Sequence, residues 1–161
     1  MAVRVHRPSG VDLRSEFHFL LPEEETMNHE QAQANLQLVL DWIDALRRGD
    51  IDAIAERFHP DVAWEDVAGG VACDGREQVL AWLRAAPAQP TDVDALELLA
   101  DADHVVLGVR NHARQELAGV RLDGQLFTVF TLRDGQIVHL HDHAHRADAL
   151  AEAGLSGYQW R

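Results

Sequence analysis

The hydrophobic pattern changes from a helical period to strand alternation about halfway along the chain. Residues 30–48 carry apolar side chains at helical spacing, and Gly49 follows them as a C-terminal stop signal. The same reasoning predicts three more elements in the first half: a helix at 50–58, a strand at 62–66 and a helix at 76–86.

The second half of the sequence predicts four strands and a closing helix. The strands are expected at 93–99, 104–116, 125–133 and 136–145, and the helix at 146–153. Asp134-Gly135 is the strongest local signal, because Gly supplies the positive φ angle of a tight hairpin turn. Helices followed by an antiparallel meander predict an α+β fold, with the helices on one face of a curved sheet.

The charge balance excludes several classes of partner. The 161 residues include 27 acidic and 14 basic ones, for a formal net charge of −13, and the basic residues are scattered arginines. So acidic a chain is repelled by nucleic acid and by anionic membranes. No apolar run approaches the roughly 18 residues that span a bilayer. The single cysteine, Cys73, fits a reducing compartment, so we expect a cytoplasmic protein. We also expect that the protein needs no cofactor.

The first 28 residues differ from the rest of the sequence. They contain two prolines and an acidic run, and they show no sustained helical or strand period. Met27 stands just before the first predicted helix and is an alternative start of the protein, with residues 1–26 as an upstream extension. We therefore predict a flexible extension at 1–28 and a single domain at 29–157.

Strand alternation decides which polar side chains can meet on the sheet. In the last strand, Asp142 shares a face with Leu140. In the strand at 104–116, Arg110 and His112 share a face. Because a buried aspartate is costly without a partner, we expect Arg110 and His112 to lie beside Asp142. The alternative is an exposed or salt-bridged cluster at the end of the sheet.

Four histidines alternate along the last strand, at His139, His141, His143 and His145. Imidazoles at positions i and i+2 can converge on one metal ion, but four in line span too far, so two at most would bind. The favoured interpretation is a histidine array on the convex face, at the surface or at a subunit interface. A His-rich metalloenzyme is the alternative.

Trp64 and Asp66 precede a Gly-rich loop and face one side of a short strand, with Glu65 on the other. In an apolar cavity, desolvation would raise the pKa of Asp66 and make it a general base. The alternative is an ordinary turn carboxylate. Trp42 stands at helical spacing, which favours a place in the core, although it could line a pocket.

Three segments occur in the order of a known superfamily: WIDALRRGD at 42–50, HPDVAWED at 59–66 and FTVFTLRDGQIV at 127–138. With the closing Asp142, they resemble the SnoaL-like branch of the NTF2-like superfamily, which includes ketosteroid isomerase, polyketide cyclases and limonene epoxide hydrolase. The resemblance covers about residues 30–155. It implies a cone, in which a bent, mainly antiparallel sheet wraps three N-terminal helices around an interior pocket.

The resemblance to limonene epoxide hydrolase implies one set of catalytic residues. Asp142 falls on the carboxylate that activates water, and Arg110 falls on the arginine beside it. His112 replaces a second acid, so it could form an acid/base pair with Asp142. Trp64 and Asp66 replace the residues that help to hold the water.

The resemblance to ketosteroid isomerase implies a second set. Glu65-Asp66 resembles the segment that holds the general base, and the isomerase's oxyanion donors fall near Trp42 and Thr128, which are weaker or different donors. The implied pocket wall for a substrate consists of Trp42, Trp64, Thr128 and Phe130.

The resulting hypothesis is a cofactor-free enzyme that transfers protons within a small, apolar, oxygenated substrate. Isomerisation, cyclisation, dehydration and epoxide opening all remain open. Asp142 would be the main acid/base, Arg110 would orient it, His112 would be a second proton-transfer group, and Asp66 would be a base or hold water. One alternative is a non-catalytic ligand-binding or dimerisation module of the same fold, and another is the metalloenzyme.

The resemblance also implies a homodimer. We expect it to form through the outer face of the sheet, because Phe127 and Val129 would otherwise expose apolar surface there.

Overall fold

The computed structural model describes residues 2–6, 26–85 and 95–155 of the chain. The helices are α1 (Thr26–Arg48), α2 (Ile51–Ala55), α3 (Arg76–Ala85) and α4 (Arg146–Glu152). The strands are β1 (Ala2–His6), β2 (Phe58–Glu65), β3 (Val71–Asp74), β4 (Ala95–Ala100), β5 (His104–Arg110), β6 (Glu116–Leu117), β7 (Val120–Arg121), β8 (Gln125–Arg133) and β9 (Gln136–His143).

Seven strands form one sheet in the order β1-β4-β5-β8-β9-β2-β3, and β6 and β7 form a separate ribbon. Neighbouring strands are antiparallel, except that β2 and β9 are parallel. The register shifts in β2 and again between Thr131 and Leu132 of β8. Such irregularities bend and twist a sheet locally, which is how this one curves around a core.

Apolar layers cover both faces of the sheet. On the concave face α1 and α3 pack against the strands, with side chains such as Val39, Leu107 and Phe130 buried between them. On the convex face α4 covers a second, smaller cluster that includes Phe127 and Val129. The predicted α+β class and cone are confirmed, but α4 lies opposite the other helices rather than on their face. No helix in the described ranges is both long and apolar enough to cross a membrane.

The helix predicted at 50–58 is shorter in the structure. Asp50 caps α2 as expected, since its Oδ1 accepts a hydrogen bond from Ala53 N at 3.1 Å. Phe58, however, starts a strand and pairs with Ile137 of β9. Pairing within the sheet here outweighs the helical period of a short segment. Pro60 is tolerated because it lies where the register shifts and β2 is not paired with β9.

The strand predicted at 104–116 ends early, at Arg110. Asn111 accepts a hydrogen bond from Ala113 N through its side-chain Oδ1 at 2.9 Å, and one from Arg114 N through its carbonyl oxygen at 3.0 Å. These bonds form a turn of the kind that Asn favours, so His112 belongs to a turn rather than to the strand.

The structure describes only part of the N-terminal segment that the sequence predicts to be flexible. Residues 2–6 form β1, which pairs with β4 along its whole length. The helix α1 begins at Thr26, before the predicted domain start at 29. Residues 7–25 lie outside the described part of the chain, as does the predicted domain end at 157.

The predicted hairpin is confirmed. Asp134 and Gly135 join β8 to β9 with φ angles of 50° and 73°. Two consecutive positive φ angles are those of a type I′ turn, whose twist matches that of the flanking strands.

Gly108 of β5 marks the tightest approach within the sheet. A Cβ atom at this position would lie 2.9 Å from Cε1 of Phe127. We expect Gly108→Ala to lower the free energy of unfolding by about 1–3 kcal/mol, because the buried ring must move. Urea denaturation measures this. Gly70→Ala is the control, since its Cβ would meet only ordinary contacts at 3.6 Å or more. Equal stability of the Gly108→Ala variant and the wild type would contradict the packing described here.

Candidate functional site

Asp142 is a buried carboxylate held by two side-chain donors. Its side chain accepts a hydrogen bond from Trp64 Nε1 at 3.0 Å through Oδ2. It accepts a second one from Thr128 Oγ1 at 2.6 Å through Oδ1. Only 7% of Asp142 is exposed. The two bonds fix the plane of the carboxylate.

Strand register brings these three residues together. Thr128 of β8 lies directly opposite Asp142 of β9, and Trp64 of β2 pairs with Leu140, two residues before Asp142. The indole of Trp64 packs edge-on against Trp82 of α3, with ring centroids 4.9 Å apart. Trp82 is itself partly exposed. The tryptophan pair therefore orients the donor that reaches Asp142.

Burial raises the pKa of Asp142, because the charged carboxylate loses hydration there. The hydrogen bonds from Thr128 and Trp64 oppose this effect, as do the nearby His141 and His143. The net direction is upward, so this carboxyl group takes up a proton more readily than an exposed aspartate. Burial likewise raises the pKa of the Cys73 thiol, as expected for an inert core cysteine.

Trp42 of α1 and Phe130 of β8 belong to the hydrophobic core on the concave side of the sheet. Their rings contact each other edge-to-face with centroids 5.1 Å apart, and both residues are buried. Trp42 Nε1 is buried and has no hydrogen-bond partner among the described residues. An unpaired buried donor of this kind costs about 1–3 kcal/mol, so a ligand oxygen that accepted its hydrogen bond would relieve a real penalty.

The concave face becomes more exposed beside Asp142. Leu96, Val109 and Leu126 are paired across β4, β5 and β8, and each is only partly buried. By alternation they share the face of Thr128. We refer to these three residues as the apolar row. On the other side of Thr128 and Asp142, the side chains of Phe130 and Leu140 are fully buried.

The structure does not bring Arg110 and His112 to Asp142. Arg110 pairs with Gln125, and Gly108 pairs with Phe127, so alternation places Arg110 on the convex face, opposite Asp142. His112 is exposed in the turn after β5. Alternation alone was not enough here, because His112 lies beyond the end of β5 and the sequence does not determine the register between strands.

Asp66 is a turn carboxylate. Its Oδ1 accepts hydrogen bonds from Ala68 N at 2.9 Å and from Gly70 N at 3.2 Å. This arrangement closes the Gly-rich turn between β2 and β3. Of the two interpretations of Asp66, the contacts favour the structural one.

The histidines of β9 lie on the convex face, as expected. His139 Nε2 lies 3.0 Å from Glu65 Oε1. His141 Nδ1 and His143 Nε2 lie 2.7 Å and 2.9 Å from Glu152 Oε2. Sequence reasoning missed Glu152, because only the folding of α4 back over the sheet brings it to the strand. Glu65 was placed correctly on the face opposite Trp64.

The sheet face that was expected to form the homodimer interface is not exposed at Phe127 and Val129. Phe127 and Val129 are 2% and 0% exposed within a single chain, because α4 covers them. The expected homodimer therefore stays a prediction that rests on the family resemblance alone.

A cavity of about 470 Å³ lies elsewhere, between the start of α1 and the hairpin that joins β8 to β9. Asn35 and Arg133 are among its lining residues, and Asp142 is not.

A bent, mainly antiparallel sheet that wraps a long helix and carries a buried acid on its concave face defines an NTF2-like cone. The family model described as "SnoaL-like domain" matches residues 39–140, which is more than half of the chain. The chain therefore belongs to the SnoaL-like family. It matches no curated protein.

Several solved structures have the same fold. A candidate ketosteroid isomerase from Kribbella flavida is 20% identical over 73% of this chain and 81% of its own, with a TM-score of 0.56. A candidate polyketide cyclase from Sinorhizobium meliloti is 28% identical over 66% of this chain and 94% of its own, with a TM-score of 0.52. Bal32a, from a soil-derived mobile gene cassette, is 25% identical over 78% and 98%, with a TM-score of 0.54.

Proposed function

We propose that this SnoaL-like protein is an enzyme in which Asp142 transfers a proton within a small, largely apolar, oxygenated substrate, without a cofactor. One observation carries the proposal: a carboxylate buried on the concave face and oriented by Trp64 and Thr128. Buried charges are costly unless they are paired, and no Arg, Lys or opposing charge is hydrogen-bonded to Asp142 among the described contacts. A catalytic use is a reason to retain such a group.

The two hydrogen bonds leave room for proton transfer. An ionised carboxylate has about four lone-pair directions, and Trp64 and Thr128 occupy two of them. A carboxylate lone pair of Asp142 that accepts neither hydrogen bond can accept a proton from a substrate carbon next to a carbonyl group. The C–H electron pair then moves into the carbonyl to give an enolate, and Asp142 holds the proton until it is returned to another atom. Return to a different carbon isomerises the substrate, and attack of the enolate on a second carbonyl cyclises it.

The donor of Trp42 supports a carbonyl substrate. Charge that develops on an enolate oxygen is stabilised by a preorganised N–H group in a dry site. Trp42 Nε1 is a buried donor without a partner among the described residues, and its ring contacts Phe130, which pairs with Leu140 two residues from Asp142. The name of one structural neighbour, a candidate polyketide cyclase that is 28% identical to this chain, also points to carbonyl compounds.

The apolar row gives the substrate a surface to lie on. Leu96, Val109 and Leu126 remain partly exposed next to the row that holds Thr128 and Asp142. An apolar molecule that covers them would bury carbon surface and bring its polar end to the carboxylate.

A bulky residue in the apolar row should weaken binding. We expect Leu126→Trp to raise KM about tenfold or more, while kcat changes much less, because the substitution fills space beside the reacting group. Steady-state kinetics on a compound that the protein converts would measure both constants. Leu126→Met, which conserves volume, is the control. An unchanged KM in the Leu126→Trp protein would place the substrate elsewhere.

Isotope exchange tests the proposal without knowledge of the natural substrate. The protein is incubated in D2O with a panel of unsaturated ketones and 1,3-diketones, and NMR follows the loss of the C–H signals next to the carbonyl. We expect at least one compound to exchange faster with the wild type than with Asp142→Asn. Equal rates for the two proteins on every compound would contradict the proposal.

A non-catalytic ligand-binding module is the second candidate. It is favoured by the placement of Arg110 and His112 away from Asp142, which leaves a single acid at the site. Compounds that bind tightly but neither exchange nor react would support it. The homodimer and the cytoplasmic location remain predictions for this protein.

A further inference from the structure

The convex face of the sheet holds two imidazoles and a carboxylate around one point. His141 Nδ1 lies 2.7 Å from Glu152 Oε2, and His143 Nε2 lies 2.9 Å from the same oxygen. The three candidate ligand atoms all lie within 4.8 Å of one another. We call His141, His143 and Glu152 the convex cluster.

The fold sets up this cluster by packing. His141 and His143 are two residues apart on β9 and therefore share a face, and their ring centroids are 4.0 Å apart. Glu152 is the last residue of α4, which is held against the sheet by Ala149 and Leu150. The side chains are thus brought together by apolar contacts and need little further ordering to receive an ion.

Two nitrogen donors and one carboxylate oxygen suit a borderline cation. Zn²⁺ binds imidazole nitrogen and carboxylate oxygen at about 2.0–2.2 Å, which keeps neighbouring donor atoms about 3.3 Å apart in a tetrahedron. The 2.7 Å and 2.9 Å separations in the convex cluster would need to lengthen only slightly. Mg²⁺ and Ca²⁺ prefer an all-oxygen shell and fit this set poorly.

A second carboxylate supports the same cluster from the other side of His141. Glu65 Oε2 lies 3.8 Å from His141 Nε2, and Glu65 Oε1 lies 3.0 Å from His139 Nε2. Glu65 is hydrogen-bonded to His139 and is too far from His141 for a direct hydrogen bond, so it acts on the cluster through its charge. Glu65 and Glu152 bring two carboxylates to this part of the sheet, and two carboxylates favour a cation.

We propose that His141, His143 and Glu152 bind one divalent transition-metal ion, with Zn²⁺ as the best match and water as the fourth ligand. The side chains of His141 and His143 are 20% and 13% exposed, and that of Glu152 is 31% exposed, so an ion can reach them from solvent. The ion would join α4 to β9 on the side of the sheet opposite Trp64 and Thr128. Its expected role is to stabilise the fold rather than to take part in proton transfer at Asp142.

Metal binding by the tag-free, metal-stripped full chain tests this proposal. Calorimetry with Zn²⁺ should show one ion per chain and a Tm that rises by several degrees on loading, because the ion binds the folded state. Bound Co²⁺ should give the visible spectrum of a tetrahedral site.

Two ligand variants and one control make the test specific. Glu152→Gln keeps the size of the side chain and loses the charge, and His143→Ala removes one ligand. Each should weaken binding about tenfold or more and abolish the rise in Tm. His145→Ala removes a histidine that follows β9 but is outside the convex cluster, and should bind like the wild type. Absence of stoichiometric binding by the wild type, or binding that survives in both ligand variants, would overturn the proposal.

Discussion

Asp142→Asn is expected to lower kcat by about 10²–10⁴-fold on any compound that the wild type converts, because a general base contributes about that much. The affinity for the compound should change far less, since the amide has nearly the shape of the carboxylate. Steady-state or single-turnover kinetics would measure the loss. His145→Asn is a matched control near the same strand, and it should keep full activity. A fall of less than about tenfold in the Asp142→Asn protein would contradict the role given to Asp142.

The same variant should fold at least as well as the wild type. The Oδ1 atom of Asn can accept from Trp64 Nε1, and its amide can donate to the Thr128 hydroxyl, so both partners stay satisfied. Burial raises the pKa of Asp142 above its value in the unfolded chain, so the ionised form opposes folding at neutral pH. This cost disappears below the unfolded pKa. The Tm advantage of Asn should therefore shrink as the pH falls, which thermal scans in the presence of a chelator would show.

Arg146→Ala is expected to lower the free energy of unfolding by about 3–5 kcal/mol, because it leaves the buried carboxylate of Glu97 unpaired. Arg146 donates from Nε to Glu97 Oε2 at 2.9 Å and from Nη2 to Oε1 at 2.8 Å. The side chain of Glu97 is 9% exposed and that of Arg146 is 18% exposed. The pair ties the first residue of α4 to β4, so its loss should loosen the convex layer.

Two further variants show whether the loss of stability in Arg146→Ala comes from leaving a buried charge unpaired. Replacing both residues by apolar ones of similar size, Glu97→Leu with Arg146→Met, should cost much less than Arg146→Ala, because no buried charge is left. Arg121→Ala removes an exposed ion pair with Asp123 and should change stability by about 0.5 kcal/mol or less. Urea denaturation gives all three values. A cost below about 1 kcal/mol for Arg146→Ala would contradict the assignment of this pair as a buried one.

Local sequence signals predicted much of the fold. The β8 strand and the type I′ turn at Asp134-Gly135 follow from alternation and turn chemistry, both of which act over a few residues. The period of α1 and the capping aspartate of α2 were equally local. Elements that depend on distant partners were missed: Phe58 joins a strand because Ile137 lies beside it, and β1 exists because β4 offers an edge.

The same contrast between local signals and distant partners applies to the residues of the candidate site. Asp142 was singled out because it shares a strand face with apolar residues, and the structure buries its side chain. Arg110 was misplaced relative to it, because a shift of one residue in register between strands moves a side chain to the other face. Glu152 could not be found at all, since nothing in a seven-residue helix shows which strand it will contact.

The position of a bound compound relative to residue 142 tests the central claim most directly. A crystal structure of the Asp142→Asn protein with a ketone that undergoes exchange in the wild type would give it. We expect the reacting carbon or its oxygen within about 3.5 Å of the side chain of residue 142, with the rest of the molecule over Leu96, Val109 and Leu126. A compound bound instead in the cavity beside Asn35 and Arg133 would contradict the assignment of Asp142 as the proton-transfer group.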